Sequence, residues 1–454
     1  MSHLSLCKPV IVVLAFPSPG HLTGLIQISA HLVQKGFKVI LIGYEDYKAA
    51  IEKSGAEYVA HTWRWVLPPP DGLQLNHHER LVKNLKFVFA DATPATFTIL
   101  KQTLERVREQ FPRRQVIILF ESLAQGILPF VYGAPLPKGF DSFPKVINFN
   151  TTMYLASHPS VPPFGPGLPY DPTEENLNLW KAITDARMPS EIAMNGHYND
   201  IMRPLGTTRD MTGWMWDTLM EVGDVTVLPT TFSTDYPRPI DKKKVRFIGG
   251  LPLKPMSPDF VYPKWWPEIT SNAALPASSP DKKKVVLVAQ GTAQHDYTEL
   301  ILPTISALSS RDDIIVVATL GKRGATLDDE LSATLPANAK AIDYLPYDAL
   351  LPYTDVFVSN GGYGGFMHGI MNGTPMVLAG TLADKAEVAS RAEYIGVAVN
   401  LRTGWPTPEA LRDAIDKVLT NDSFKKKAVQ LKEENEAMDA LGQVEGIIDE
   451  LTEK

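Results

Sequence analysis

Uninterrupted apolar runs alternate with segments of helical period through most of the chain. Val10–Leu14, Val116–Phe120, Val285–Ala289 and Ile314–Thr319 are rich in Val and Ile and carry no polar alternation. That is the pattern of parallel strands covered on both faces. After the first run, Leu22, Leu25, Ile26, Ser29, Leu32 and Val33 fall at helical spacing, and Gly36 offers a C-terminal cap. The spacing predicts a helix from Leu22 to Lys35 and a strand from Phe37 to Ile42, a βαβ start. Its extension comprises helices over Thr93–Gln110 and Leu123–Tyr132 and strands at Val146–Phe149, Val225–Leu228 and Phe247–Ile248. A second series predicts strands at Val285–Ala289, Ile314–Thr319, Asp355–Val358 and Pro375–Leu378. Helices fall between them, over Thr298–Ser309, Phe366–Asn372 and Ala386–Tyr394, and the tail from Pro408 is helical.

The alternation fails from Thr151 to Val222. Prolines and glycines cluster between Pro159 and Pro172, followed by Met211, Trp214, Met215 and Trp216. Those side chains are either helix core or the wall of an apolar ligand pocket. Residues 249–284, rich in Pro, Ala and Ser, read as a linker. The expected organisation is therefore an N-terminal α/β domain over 1–248, the linker, a second α/β domain over 285–430, and a final helix over 431–454.

Length changes little in this picture: 454 residues suffice for two substantial cores. A net charge of −7 disfavours nucleic acid or an anionic membrane surface as the main partner. One cysteine, Cys7, excludes an intramolecular disulfide framework and suits a reducing compartment. Pro9–Phe16 is too short to span a bilayer and is followed by Pro17 and Pro19. With no signal-peptide layout and a polar C-terminus, the expected location is cytoplasmic. Asp-x-Asp, His-Glu-x-x-His and paired cysteines are absent, so no metal site and no resident cofactor are expected.

The chemistry concentrates where the strand at Asp355–Val358 runs into Ser359-Asn360-Gly361-Gly362-Tyr363-Gly364-Gly365. Four glycines in five residues leave backbone N–H groups bare at a helix start, which can hold phosphate. A tight turn in which the glycines only permit packing would look the same. The segment is not a dinucleotide fingerprint, because Met367 stands where a third glycine would be needed.

Its neighbours decide the matter. Leu345-Pro346-Tyr347 and Leu350-Leu351 precede it, while Gly373-Thr374-Pro375 and Ala383-Asp384-Lys385 follow. This order resembles the donor signature of UDP-sugar-dependent glycosyltransferases with two facing Rossmann-like domains, the GT-B architecture. The match is closer to fungal and bacterial members than to plant ones. Plant members have His at the place of Asn360, Trp-Asn-Ser at Tyr363-Gly364-Gly365, Glu at His368 and Asp-Gln at Asp384-Lys385.

The resemblance implies an inverting hexosyltransferase, most simply a glucosyltransferase, acting as a monomer on a UDP-sugar co-substrate and a small hydroxylated acceptor. It implies His21 as general base, with Glu121 at the end of Val116–Phe120 orienting it. By itself His21 could equally be a surface or capping residue, expected neutral at a helix N-terminus. The implied donor contacts are Ser18, Thr292, Tyr344, Leu345, Asn360, Gly362, Tyr363, Gly364, Gly365, His368, Asp384 and Lys385. Tyr344 would stack on the base, with the Leu345 backbone beside it. His368 would meet the ribose, and Asp384 with Lys385 the sugar hydroxyls. Tyr58–Gln74 and Thr151–Val222 would line the acceptor site, where Trp63, Trp65, Phe164 and Trp214 favour an aromatic or lipophilic molecule. A sugar-nucleotide epimerase or hydrolase, or a non-catalytic sugar-nucleotide-binding subunit, are the competing readings.

Overall fold

The β-branched runs form two all-parallel sheets. A computed structural model describes residues 8–16, 18–61, 63, 83, 85–291, 294–327 and 335–452. Among them, a seven-stranded sheet has the order β3-β2-β1-β4-β5-β6-β7 and a six-stranded sheet the order β10-β9-β8-β11-β12-β13. The first comprises β1 (Val10–Leu14), β2 (Lys38–Gly43), β3 (Glu57–Ala60), β4 (Val116–Glu121), β5 (Lys145–Phe149), β6 (Val225–Leu228) and β7 (Val245–Phe247). The second comprises β8 (Lys284–Ala289), β9 (Ile314–Thr319), β10 (Ala339–Ile342), β11 (Val356–Ser359), β12 (Met376–Leu378) and β13 (Ala398–Asn400).

Both sheets reverse direction of growth beside their first strand. β1 lies between β2 and β4, with Leu14 opposite Phe120, and β8 lies between β9 and β11, with Ala289 opposite Ser359. Such switch points open a crevice at the C-terminal strand ends. They bring the loops after β1 and β4 together, and likewise those after β8 and β11.

Alternating side chains of each strand enter different cores. Val10, Val12 and Leu14 join an apolar cluster that continues through Leu287, Phe357 and Leu378 of the second sheet. Ile11 and Val13 face the opposite way, against Leu22 and Leu25 and against Val444, Ile447 and Ile448 of the last helix, Ala440–Leu451. The chain reaches that helix through Asp439, in the left-handed region at φ 50°, after the helix Asp422–Glu436 has run uninterrupted across residue 430.

Several elements differ from the expectation. The first helix starts at Pro19, because proline is tolerated in a first helical turn. The stretch Leu123–Tyr132 forms only a 3-10 turn and the short helix Leu128–Val131. There Gly126 sits so close to Thr96 that a Cβ would lie 2.5 Å from its carbonyl carbon. Residues 249–284 contain a helix, Trp266–Ala274, with Ile269 fully buried. Met211, Met215 and Trp216 are core, and Trp214 packs partly buried against them. Among the described residues, no helix is long and apolar enough to cross a membrane.

Candidate active site

The turn after β1 places His21 in the first turn of the helix Pro19–Gln34, its N–H donating to the Ser18 carbonyl at 3.0 Å. Ser18 is the N-cap residue, but its side chain makes no capping bond. β4 runs alongside β1 and ends in Glu121, so the carboxylate arrives next to the imidazole. Glu121 Oε1 lies 3.0 Å from His21 Nδ1, while Oε2 accepts the Leu123 N–H at 3.2 Å. The Phe16 ring meets the imidazole edge to face, 5.4 Å between centroids. Glu121 is buried, whereas a quarter of the His21 side chain stays exposed.

Thr151, two residues beyond β5, completes this cluster. Its Oγ1 lies 2.7 Å from His21 Nδ1 and donates to Glu121 Oε1 at 2.8 Å. The helix end is not what governs this imidazole. Burial lowers the His21 pKa, but the charge and hydrogen bond of Glu121, with the charge of Asp384, outweigh it and raise the value above 6.5. The helix-end argument is overridden by a carboxylate in direct contact.

Across the crevice, β11 delivers the glycine-rich turn. Gly361 adopts φ 79°, and Gly362 caps the helix Tyr363–Asn372 without a side-chain bond. The Asn360 amide donates to the Gln290 carbonyl and to Gln294 Oε1, both at 2.5 Å, which ties the loop after β11 to the loop after β8. A Cβ at Gly364 would meet nothing within 4 Å, whereas one at Gly365 would approach Ser359 Oγ to 3.4 Å. Gly364 thus opens outward and Gly365 packs inward. The Tyr363 ring is buried and borders a small void with Met153, Tyr154 and Asp235 of the first half. Its backbone N–H, not its ring, is what the cradle can offer.

Of the remaining expected donor contacts, Tyr344 and His368 are each tied to an aspartate. The Tyr344 N–H donates to Asp343 Oδ1 at 2.7 Å, and the Arg323 guanidinium lies 4.5 Å above the Tyr344 ring. Leu345 is buried. His368 Nδ1 lies 2.7 Å from Asp348 Oδ1, which also accepts from Asn372 at 3.1 Å. That leaves Nε2 as the ring atom for a ligand. Thr292 lies outside the described residues, as do Trp65 and most of Tyr58–Gln74.

Asp384 is the N-cap residue of the helix Lys385–Tyr394, and Ala383 before it holds φ 54°, an uncommon value for a residue with a Cβ. This bend turns Asp384 toward the first half, where its Oδ2 accepts from Thr152 Oγ1 at 3.1 Å. The loop beneath is tight, since a Cβ at Gly380 would lie 1.9 Å from the Asn360 carbonyl oxygen. The Lys385 carbonyl carries the same packing to Gly361.

The same helix anchors the two halves. Glu387 Oε1 accepts the N–H groups of Gly165 and Gly167 at 2.8 and 2.9 Å. Arg391 donates to Glu387 Oε2 at 3.1 Å and to Asp235 Oδ1 at 2.8 Å, and Arg238 pairs with Asp235 Oδ2 at 2.8 Å. All four charged groups are buried. Burial alone would raise the Asp235 carboxyl pKa, but the two guanidinium groups hold it below its ordinary range.

Sequence reasoning missed Thr151, Thr152, Arg323, Asp348 and this ionic cluster. Only the Asn150-Thr151-Thr152 run directly after a buried strand gave any hint.

Residues 304–451 match the family model described as Erythromycin biosynthesis protein CIII-like, C-terminal domain. Over 448 residues the chain is 37% identical to UDP-glucosyltransferase 1 of Beauveria bassiana (strain ARSEF 2860), covering 96% of this chain and 94% of that protein. It is 29% identical to UDP-glucosyltransferase A1 of Starmerella bombicola, covering 98% and 92%. The glycotransferase of kitacinnamycin superposes with a TM-score of 0.67 at 20% identity, covering 98% of this chain and all of that one. The calicheamicin glycosyltransferase CalG4 does so with a TM-score of 0.67 at 14% identity, covering 98% of each.

Proposed function

The chain belongs to the UDP-glycosyltransferase family of GT-B fold, and we propose that it transfers glucose with inversion from UDP-glucose to a hydroxyl of a small aromatic or lipophilic acceptor. His21 acts as the base. The observation that carries this reading is the meeting of Asp384 with the His21 side of the crevice, through the 3.1 Å bond from Thr152. A sugar held by Asp384 and Lys385 would present its anomeric carbon toward the base.

In the proposed step the acceptor oxygen attacks that carbon as the bond to the UDP oxygen breaks. The acceptor proton passes to His21 Nε2, and UDP leaves with the electron pair. Glu121 stabilises the imidazolium so formed. Charge gathering on the diphosphate meets the N–H groups of Tyr363, Gly364 and Gly365 and the positive end of their helix. Names of relatives support glucose as the sugar, since UDP-glucosyltransferases recur among them. The aromatic or lipophilic acceptor rests on the aromatic side chains of the segments expected to line its site, Trp63 and the partly buried Trp214 among them.

Incubation with UDP-glucose and a panel of phenolic and long-chain alcohols tests this. A β-glucoside, identified by its anomeric proton coupling, is the expected product. An α-glucoside, glucose alone, an epimerised UDP-sugar, or binding without turnover would each contradict it.

A further inference from the structure

A hydroxyl bridges the base and its carboxylate. Thr151 Oγ1 lies 2.7 Å from His21 Nδ1 and 2.8 Å from Glu121 Oε1, while those two atoms are 3.0 Å apart. An ionised carboxylate can only accept, so the single hydroxyl proton points to Glu121. The hydroxyl then faces the ring with a lone pair, and Nδ1 must carry a proton to meet it. Both neighbours of Nδ1 therefore demand the same tautomer, which leaves Nε2 as the basic atom.

Glu121 alone would hold the ring from one side, through the end of β4. Thr151 adds a second support from the end of β5, so two strands fix the imidazole. Its hydroxyl also occupies Oε1, whose sister oxygen is already engaged by Leu123 N–H. The carboxylate is thereby fixed at both oxygens. Thr152, next in the chain, bonds Asp384 on the facing half. One corner of backbone thus sets both the ring and its separation from the carboxylate expected to grip the sugar.

We infer that Thr151 is a positioning residue for the transfer, the third member of a His21–Thr151–Glu121 relay. The inference rests on the reading of His21 as base. Thr151 touches no reacting atom and acts through the imidazole.

The test compares Thr151→Val, nearly isosteric, with Thr151→Ser and with Thr151→Val made in a His21→Ala background. Turnover of UDP-glucose with a phenolic acceptor is measured beside UDP affinity by calorimetry, which also reports folding. Thr151→Val should lower kcat about tenfold, less than the roughly 10²–10⁴ of general base catalysis because it acts only through His21, with UDP affinity within twofold. Thr151→Ser should recover most of that loss, since it restores the hydroxyl. In the His21→Ala background Thr151→Val should cost nothing further, because residues acting as a unit are not additive. An equal loss in both backgrounds, or no recovery with serine, would overturn the relay. If valine at this position prevents folding, Thr151→Ala carries the same comparison. Should His21→Ala itself keep near-normal turnover, the base assignment fails. That outcome is distinct from failure of serine to rescue.

Discussion

At His21, burial and neighbouring charge pull ionisation in opposite directions, and charge wins. Burial lowers the pKa, but Glu121 and Asp384 raise it above 6.5. A raised value favours the protonated ring in the fold. Its stabilising contribution is complete below 6.5 and is lost as pH rises through the folded value. Activity follows the opposite course, since a base must be deprotonated in the free enzyme. The acid limb of kcat/KM should lie above pH 6.5. Glu121→Gln removes the largest raising influence, so the limb should move to lower pH while kcat falls. A limb unmoved by that change would assign the titration to another group. His21, Glu121 and Asp384 were legible in the sequence because each follows a run of strand character or a glycine-rich turn. Thr151 and Thr152 were not. Hydroxyls in a loop are unremarkable until two strands and a facing domain converge on them.

In the proposed reading, the helix Tyr363–Asn372 is the element on which donor binding depends. Gly364 faces open space, so a larger side chain there has room in the free protein. It should crowd only a ligand. Gly364→Val should leave the fold intact yet weaken UDP at least about tenfold, ~1.4 kcal/mol. Unchanged UDP affinity by calorimetry in the folded variant would move the diphosphate elsewhere. The central strands of both sheets were readable because burial on two faces forces an uninterrupted apolar run. The edge strands β3, β10 and β13 were not, because each is half-exposed at most positions and its sequence carries a weaker pattern. The helix in the linker was hidden by prolines, one of which sits in its first turn.

For the whole molecule, the buried cluster of Asp235, Arg238, Glu387 and Arg391 fixes how the halves face each other. In sequence, Glu387 and Arg391 look like an ordinary i,i+4 pair on a solvated helix face, and only the docking of Gly165–Gly167 and Asp235 against them makes them interior. Removing one partner from a buried network leaves charge uncompensated. Asp235→Asn leaves two guanidinium groups facing one neutral amide. It should cost about 3–5 kcal/mol of stability in denaturant unfolding, and a loss below about 1 kcal/mol would show the cluster to be solvated in solution. The cradle's amides and helix dipole can serve the leaving diphosphate as a divalent cation would. Turnover should therefore persist in EDTA, and loss restored by added Mg²⁺ or Mn²⁺ would contradict that. The central claim is that His21 activates a hydroxyl for attack on a UDP-bound sugar. The most direct measurement is single-turnover transfer by His21→Ala to a phenolic or alcohol acceptor at saturating UDP-glucose. The rate should fall by about 10²–10⁴, with UDP binding within a few-fold of the unmodified protein. Near-normal transfer by that variant would contradict the account.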